Sequence, residues 1–254
     1  MNNYPNFSDK VALVTRASSG MGLATALAFA EAGASVTLAD VKEEAVREAA
    51  KKLVSEGHRA LAIPCDVSND AQVEAMVERT VAEFGRLDAA FNNGGVMPKN
   101  APTAHSTLEE FDRVTRFNLR GVWSCMKHEL HQMQRQGSGA IVNCSSIGGL
   151  RGDRGIPSYT ASKHGVIGLT RAAALQYAAI GIRVNAVCPG TIDTAFARTA
   201  FEDEKARHCQ ILAHWPDRRA RGDRVGGALA VQPGSELRRW ARLVVDGGQT
   251  GGTR

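Results

Sequence analysis

No uninterrupted apolar stretch in this chain reaches the roughly 18 residues that a membrane-spanning helix requires, so neither a span nor a membrane partner is expected. Metal-type cysteine pairs are also missing. The five cysteines, Cys65, Cys125, Cys144, Cys188 and Cys209, are scattered, with no CxxC among them. They read as reduced, mostly buried thiols of a cytoplasmic protein, with no metal site expected. The opening MNNYPNFSDK has no basic segment followed by an apolar run, so no secretory leader is expected. Aromatics make up only 6% of the chain, and outside one C-terminal segment they are not interleaved with basic residues as a nucleic-acid platform needs.

What charge imbalance there is sits in one place. Of the net charge of +5, the run Ala213–Arg242 supplies most, with seven arginines (Arg218, Arg219, Arg221, Arg224, Arg238, Arg239, Arg242) against three acids (Asp217, Asp223, Glu236). A basic face serving nucleic acid would be spread over the chain, so no nucleic-acid partner is expected. His128-Glu129-Leu130-His131 is not the HExxH of a zinc hydrolase and reads as a solvated helix face.

At 254 residues and 43% hydrophobic, the chain is long enough for one sizeable α/β core. Strands are expected at Lys10–Thr15, Ser35–Ala39, Arg59–Ile63, Leu87–Phe91, Ala140–Cys144 and Ile182–Val187. Helices are expected at Met21–Glu31, Val41–Ser55, Asp70–Phe84, one long helix over Thr107–Gln136, and one carrying Tyr159 to about Ala179. Strands alternating with helices of this length predict a doubly wound parallel sheet with helices on both faces.

In such sheets a ligand lies beyond the carboxyl ends of the strands. The turn TRASSGMG (Thr15–Gly22) joins the first strand to the first helix; its small residues admit a pyrophosphate, and the helix N-terminus offers unpaired N–H groups. Asp40, about twenty residues on, suits a ribose diol, or equally caps the next helix. Asp66 carries the same two readings.

Tyr159-x-x-x-Lys163, with Ser146 thirteen residues before the tyrosine, carries the chemistry. On a helix Lys163 lies one turn beyond Tyr159, and a nearby ammonium favours the phenolate over a phenol of pKa about 10. That makes Tyr159 a candidate acid/base and Ser146 a candidate holder of a substrate oxygen.

From about Lys10 to Thr194 the chain resembles the short-chain dehydrogenase/reductases. The motifs that carry the resemblance are TRASSGMG for TGxxxGxG, Asp66-Val67, NNGG for NNAG, Asn118 in FDRVTRFNLRG, Ser146, Tyr159-x-x-x-Lys163, and Pro189-Gly190 with Thr194. The resemblance implies a single Rossmann-like domain over residues 1–254 and a bound dinucleotide. It makes Tyr159 the acid/base, Ser146 the substrate-orienting hydroxyl, Lys163 the pKa-lowering cation on the nicotinamide ribose, and Asn118 the holder of a water leading to Lys163. The implied cofactor contacts are Thr15, Ser18, Ser19, Gly20, Met21 and Gly22, then Asp40, Asp66, Val67, Asn92 and Gly94, then Tyr159, Lys163, Pro189, Gly190, Ile192 and Thr194. A homodimer or homotetramer is implied as well.

Two positions depart from the pattern: Arg16 replaces the first glycine of the turn, and Gly94 the alanine of NNAG. The Arg16 charge would suit a 2′-phosphate, but Asp40 would repel one and Val41 is not basic, so NAD is expected over NADP. The expected reaction interconverts a secondary alcohol and a ketone. The alternatives are an NADPH-dependent 3-oxoacyl-thioester reductase and a dinucleotide-binding protein without turnover. Val96–Lys99, Ile147–Pro157 and Ile192–Leu212 are expected to shape the substrate pocket.

Ala213–Arg242 lacks the amphipathicity expected before the closing VVDGG. Back-translated and read one base later, Val231–Arg242 yields CSPGASFVVGH and Ala213–Gly222 permits PIGRxGxPEE, both like the family's ends. The reading is a pair of compensating frameshifts, decided by the coding DNA; the printed residues are expected to compromise the last helix and strand.

Overall fold

The computed structural model describes residues 6–190 and 242–245. Seven parallel strands form one sheet in the order β3-β2-β1-β4-β5-β6-β7. They are β1 (Val11–Thr15), β2 (Ser35–Asp40), β3 (Ala60–Pro64), β4 (Ala89–Asn92), β5 (Gly139–Cys144), β6 (Ile182–Pro189) and β7 (Arg242–Val245). The helices are α1 (Gly20–Glu31), α2 (Glu43–Ser55), α3 (Asp70–Phe84), α4 (Leu108–Thr115), α5 (Gly121–Gln136) and α6 (Pro157–Tyr177). The strand order reverses between β1 and β4, and that break opens the crevice in which such sheets bind ligands.

Alternation along the strands divides the core. Ala12 and Val14 of β1 face α1 and α2, packing with Phe29, Leu38 and Leu53. Leu13 faces α3, α5 and α6, packing with Met76, Ile141 and Val166. Every residue of β1, β2 and β4 is buried, as parallel strands covered on both faces require. In α2 the apolar positions Val46, Ala50 and Leu53 recur at helical spacing and are the buried ones, while the charged remainder faces water.

The single helix expected over Thr107–Gln136 is interrupted. Thr107 Oγ1 caps α4 by accepting from Glu110 N at 3.2 Å, and a π-helical turn at Arg116–Arg120 separates α4 from α5. The wider turn sets Asn118 facing inward, fully buried. The expected solvated face at His128 is also corrected. His128 is 8% exposed, with Nε2 3.1 Å from Asp70 Oδ1, because α3 packs against α5 there. Among the described residues no helix is long and apolar enough to cross a membrane.

β7 pairs in register with Ala186–Pro189 of β6, so a last strand forms although the residues before it were expected to compromise it. The rest of the atypical run, Ile192, Thr194 and Cys209 lie outside the described residues. Cys65, Cys125, Cys144 and Cys188 are buried.

Candidate active site

The turn after β1 is tightly closed. Arg16 has φ of 52°, the left-handed region that favours glycine, and it stands at the position where a glycine was expected. Gly22 packs under it: a Cβ there would overlap the Arg16 carbonyl and lie 2.8 Å from Asn93 Nδ2. Thr15 Oγ1 accepts from Asn93 N at 2.9 Å and donates to Phe91 O at 3.5 Å, tying β1 to the loop after β4. Thr15 is therefore a brace. Asn93 beside the turn was not singled out by the sequence, although it is one of the four residues of the NNGG motif.

Helix α1 starts at Gly20, its N-cap Ser19 makes no side-chain capping bond, and its first turn has no acid. By contrast, Asn69 caps α3 by accepting from Ala71 N and Gln72 N. The free N–H groups and partial positive charge of α1 fit the pyrophosphate of a dinucleotide.

Asp40 ends β2 and is 5% exposed. Its Oδ2 accepts from Ser18 N at 3.1 Å and Ser18 Oγ at 2.7 Å, and its Oδ1 from Lys42 N at 3.0 Å. The carboxylate is locked at the edge of the turn with acceptor capacity left for a ribose hydroxyl. Asp66 Oδ1 accepts from Ser68 N at 2.9 Å, which positions the loop after β3. Beside it, Val67 packs near Gly94, where a Cβ would sit 3.4 Å from Val67 Cγ2; the alanine of the family pattern would fit.

Asn92 Nδ2 donates to Glu129 Oε2 at 2.9 Å and Asn143 Oδ1 at 3.0 Å, so its side chain ties the end of β4 to α5 and β5. Burial pushes the Glu129 carboxyl up to about 7.

At the end of β5, Ser146 caps a short 3₁₀ turn, its Oγ accepting from Gly148 N at 3.1 Å and bonding to the Tyr159 hydroxyl. Pro157 opens α6, and Tyr159 and Lys163 follow one turn apart. Lys163 is buried, its Nζ 5.7 Å from the Tyr159 ring centroid. Asn118 Oδ1 accepts from Val96 N at 2.7 Å, and its Nδ2 donates to Val96 O at 2.9 Å and Ser162 Oγ at 3.3 Å. Asn118 Oδ1 and Lys163 Nζ meet around Gly95, where a Cβ would lie 3.5 Å from each. Pro189 ends β6, and Gly190 follows it at the carboxyl edge of the sheet.

The electrostatic balance differs from the expected one. Burial pushes the Tyr159 phenol up to about 12; the Ser146 hydrogen bond and Arg16 oppose the rise, while Cys144 and Asp153 add to it. Burial also lowers Lys163 from the usual lysine value. Lys163 Nζ donates to the Cys144 carbonyl at 2.8 Å. Burial likewise lowers Arg16, whose charge is felt by Asp40, Cys144 and Tyr159.

The sequence profile of the short chain dehydrogenases matches residues 10–205. Levodione reductase of Leifsonia aquatica is 45% identical over 199 residues, 77% of this chain and 74% of the relative. Cis-4-hydroxycyclohexanecarboxylate dehydrogenase of Sinomonas cyclohexanicum is 43% identical over 247 residues, 96% of this chain and 98% of the relative. The crystal structure of levodione reductase superposes with a TM-score of 0.91 at 38% identity, covering 98% of this chain and 100% of that one. With the tyrosine–lysine pair, the glycine turn and the parallel sheet in one crevice, the chain belongs to the short-chain dehydrogenase/reductase family, oxidoreductases that act on CH–OH groups with a nicotinamide dinucleotide.

Proposed function

We propose that this enzyme interconverts a secondary alcohol and a ketone with NAD, and that Tyr159 moves the proton. The observation that carries the reading is the convergence of Ser146 Oγ on the Tyr159 hydroxyl at the mouth of the crevice. A bound nicotinamide supplies or accepts the hydride at the substrate carbon. In reduction Tyr159 gives its proton to the carbonyl oxygen; in oxidation Tyr159 first loses its proton to solvent, and the phenolate then takes the carbinol proton. Ser146 donates a hydrogen bond to the same oxygen and so fixes the carbon's distance from the cofactor face. Lys163 anchors α6 to β5 and orients the nicotinamide ribose, while Asn118, held by Val96, keeps the inner wall in place.

Asp40 supports NAD. Its buried carboxylate stands where the adenosine ribose is expected, and a 2′-phosphate there would meet like charge. A homodimer or homotetramer also fits, because Phe111, Trp123 and Leu175 on α4, α5 and α6 are exposed apolar residues.

The test follows nicotinamide absorbance with cyclohexanol, using NAD and NADP in parallel. The expected result is turnover with a lower KM for NAD, and a loss of roughly a hundredfold or more in Tyr159→Phe with cofactor binding retained. A lower KM for NADP sinks the cofactor assignment, and unchanged turnover in Tyr159→Phe sinks the mechanism.

A further inference from the structure

The loop between β5 and α6 brings a carboxylate to the catalytic pair. A Cβ built on Gly148 would lie 3.1 Å from Asp153 Oδ2, 3.4 Å from Tyr159 Cε1 and 3.5 Å from Ser146 Oγ. The three groups thus ring one point, and Gly148 contributes no side chain to fill or screen it. The Asp153 side chain is 32% exposed, and Arg151 Nε lies 3.8 Å from its other oxygen, Oδ1. Arg151 thus engages one carboxylate oxygen while Oδ2 is the one nearest the ring. The cofactor turn and Asp40 come from β1 and β2, whereas Asp153 comes from the loop that follows Ser146.

A substrate whose reacting oxygen sits on Ser146 and Tyr159 has that oxygen in the neighbourhood of Asp153 as well, since all three groups border one point. A carboxylate accepts hydrogen bonds and donates none. A substituent ending in a hydroxyl or ammonium is therefore matched by Oδ2, and one ending in a carboxylate is repelled. We propose that Asp153 selects substrate by charge: the site takes secondary alcohols carrying a second hydroxyl or an amine a few bonds from the carbinol, and rejects carboxylate-bearing ones. This rests on the alcohol/ketone reading above and narrows it. It separates this enzyme from the Sinomonas relative, whose name specifies a carboxylated alcohol. Asp153 is a specificity residue and takes no part in bond making.

The experiment compares full-length wild type, Asp153→Asn and Asp153→Leu on three alcohols of one shape: 4-aminocyclohexanol, 4-methylcyclohexanol and 4-hydroxycyclohexanecarboxylate, with NAD. Wild type is expected to prefer the amine over the carboxylate in kcat/KM, and both variants to reduce that preference by roughly tenfold. The neutral alcohol serves as the internal reference for any general damage. Asp153→Asn also removes a charge that raises the Tyr159 phenol, so the acid limb of its pH–rate profile moves to lower pH; a purely structural defect would not move it. An unchanged amine-to-carboxylate ratio in both variants overturns the proposal. Should wild type turn over none of the three, the alcohol/ketone reading fails by itself. Calorimetric titration of the protein with the amine and the carboxylate then decides Asp153: a wild-type preference for the amine that Asp153→Asn reduces supports it, and equal or absent binding overturns it.

Discussion

Lys163 Nζ donates to the Cys144 carbonyl at 2.8 Å, tying the second turn of α6 to the last residue of β5. Ser145 Oγ returns a bond to Lys163 O at 2.9 Å, so strand end and helix are clasped from both sides. The lysine is thus a joint of the fold as well as a neighbour of the tyrosine.

Lys163→Met is expected to abolish measurable turnover and to alter the pH dependence of stability. Burial lowers the Lys163 ammonium from its usual value, so just below that usual value the unfolded chain binds more protons than the folded one. Stability of the wild type therefore rises with pH through that window, and the variant lacks the rise. Urea denaturation at about pH 8 and about pH 10 measures it; parallel slopes in the two proteins would refute it.

Glu129 is fully buried, and among the described residues its Oε1 has no hydrogen-bond partner. Its carboxyl is raised from 4.5 to about 7. The stability held by the protonated form is complete below about 4.5 and is lost as pH rises to about 7, a loss of about 3 kcal/mol. Glu129→Gln keeps an acceptor for Asn92 and removes the ionisation. The variant should unfold at higher denaturant than wild type at about pH 8, with the gap closing near pH 4.5; an equal gap at both would refute it.

Two glycines of the crevice should respond in opposite ways. At Gly94 a Cβ meets only Val67 Cγ2 at 3.4 Å, so Gly94→Ala should stabilise by about 0.5 kcal/mol through the unfolded chain. At Gly22 the new methyl overlaps the Arg16 carbonyl, so Gly22→Ala should cost about 1–3 kcal/mol and weaken dinucleotide binding. Denaturation midpoints and a cofactor titration read both, and a Gly22→Ala protein that binds as tightly as wild type would contradict the packing argument.

Arg16 opposes the rise of the Tyr159 phenol. Arg16→Met should therefore move the acid limb of alcohol oxidation to higher pH, and Arg16→Lys should leave it near the wild-type position. Coincident profiles for Met and wild type would show that the arginine charge does not reach the tyrosine in the working enzyme.

The layered fold was legible because burial of parallel strands leaves unbroken apolar runs and helices leave periodic ones. Asp70–Phe84 is a helix with those bounds, and the other elements shift by one or two residues at their ends. The interruption at Arg116–Arg120 was not legible, since one extra residue in a helical turn changes no composition; what selects it is Asn118 finding Val96 across the crevice. The partners of the Asn92 side chain were not legible for a related reason: its motif lies at a strand end, while Glu129 and Asn143 come from 37 and 51 residues away.

By itself the sequence determined the type of sheet, the loops that meet at its carboxyl edge and the identities of Ser146, Tyr159 and Lys163, because local periodicity and motif spacing are properties of contiguous residues. Only the tertiary structure decided that the phenol is raised, that Lys163 spends a hydrogen bond on Cys144, and that Asp153 stands beside Gly148. Those are matters of burial and of distance between groups far apart in the chain, and both exist only once the layers have packed.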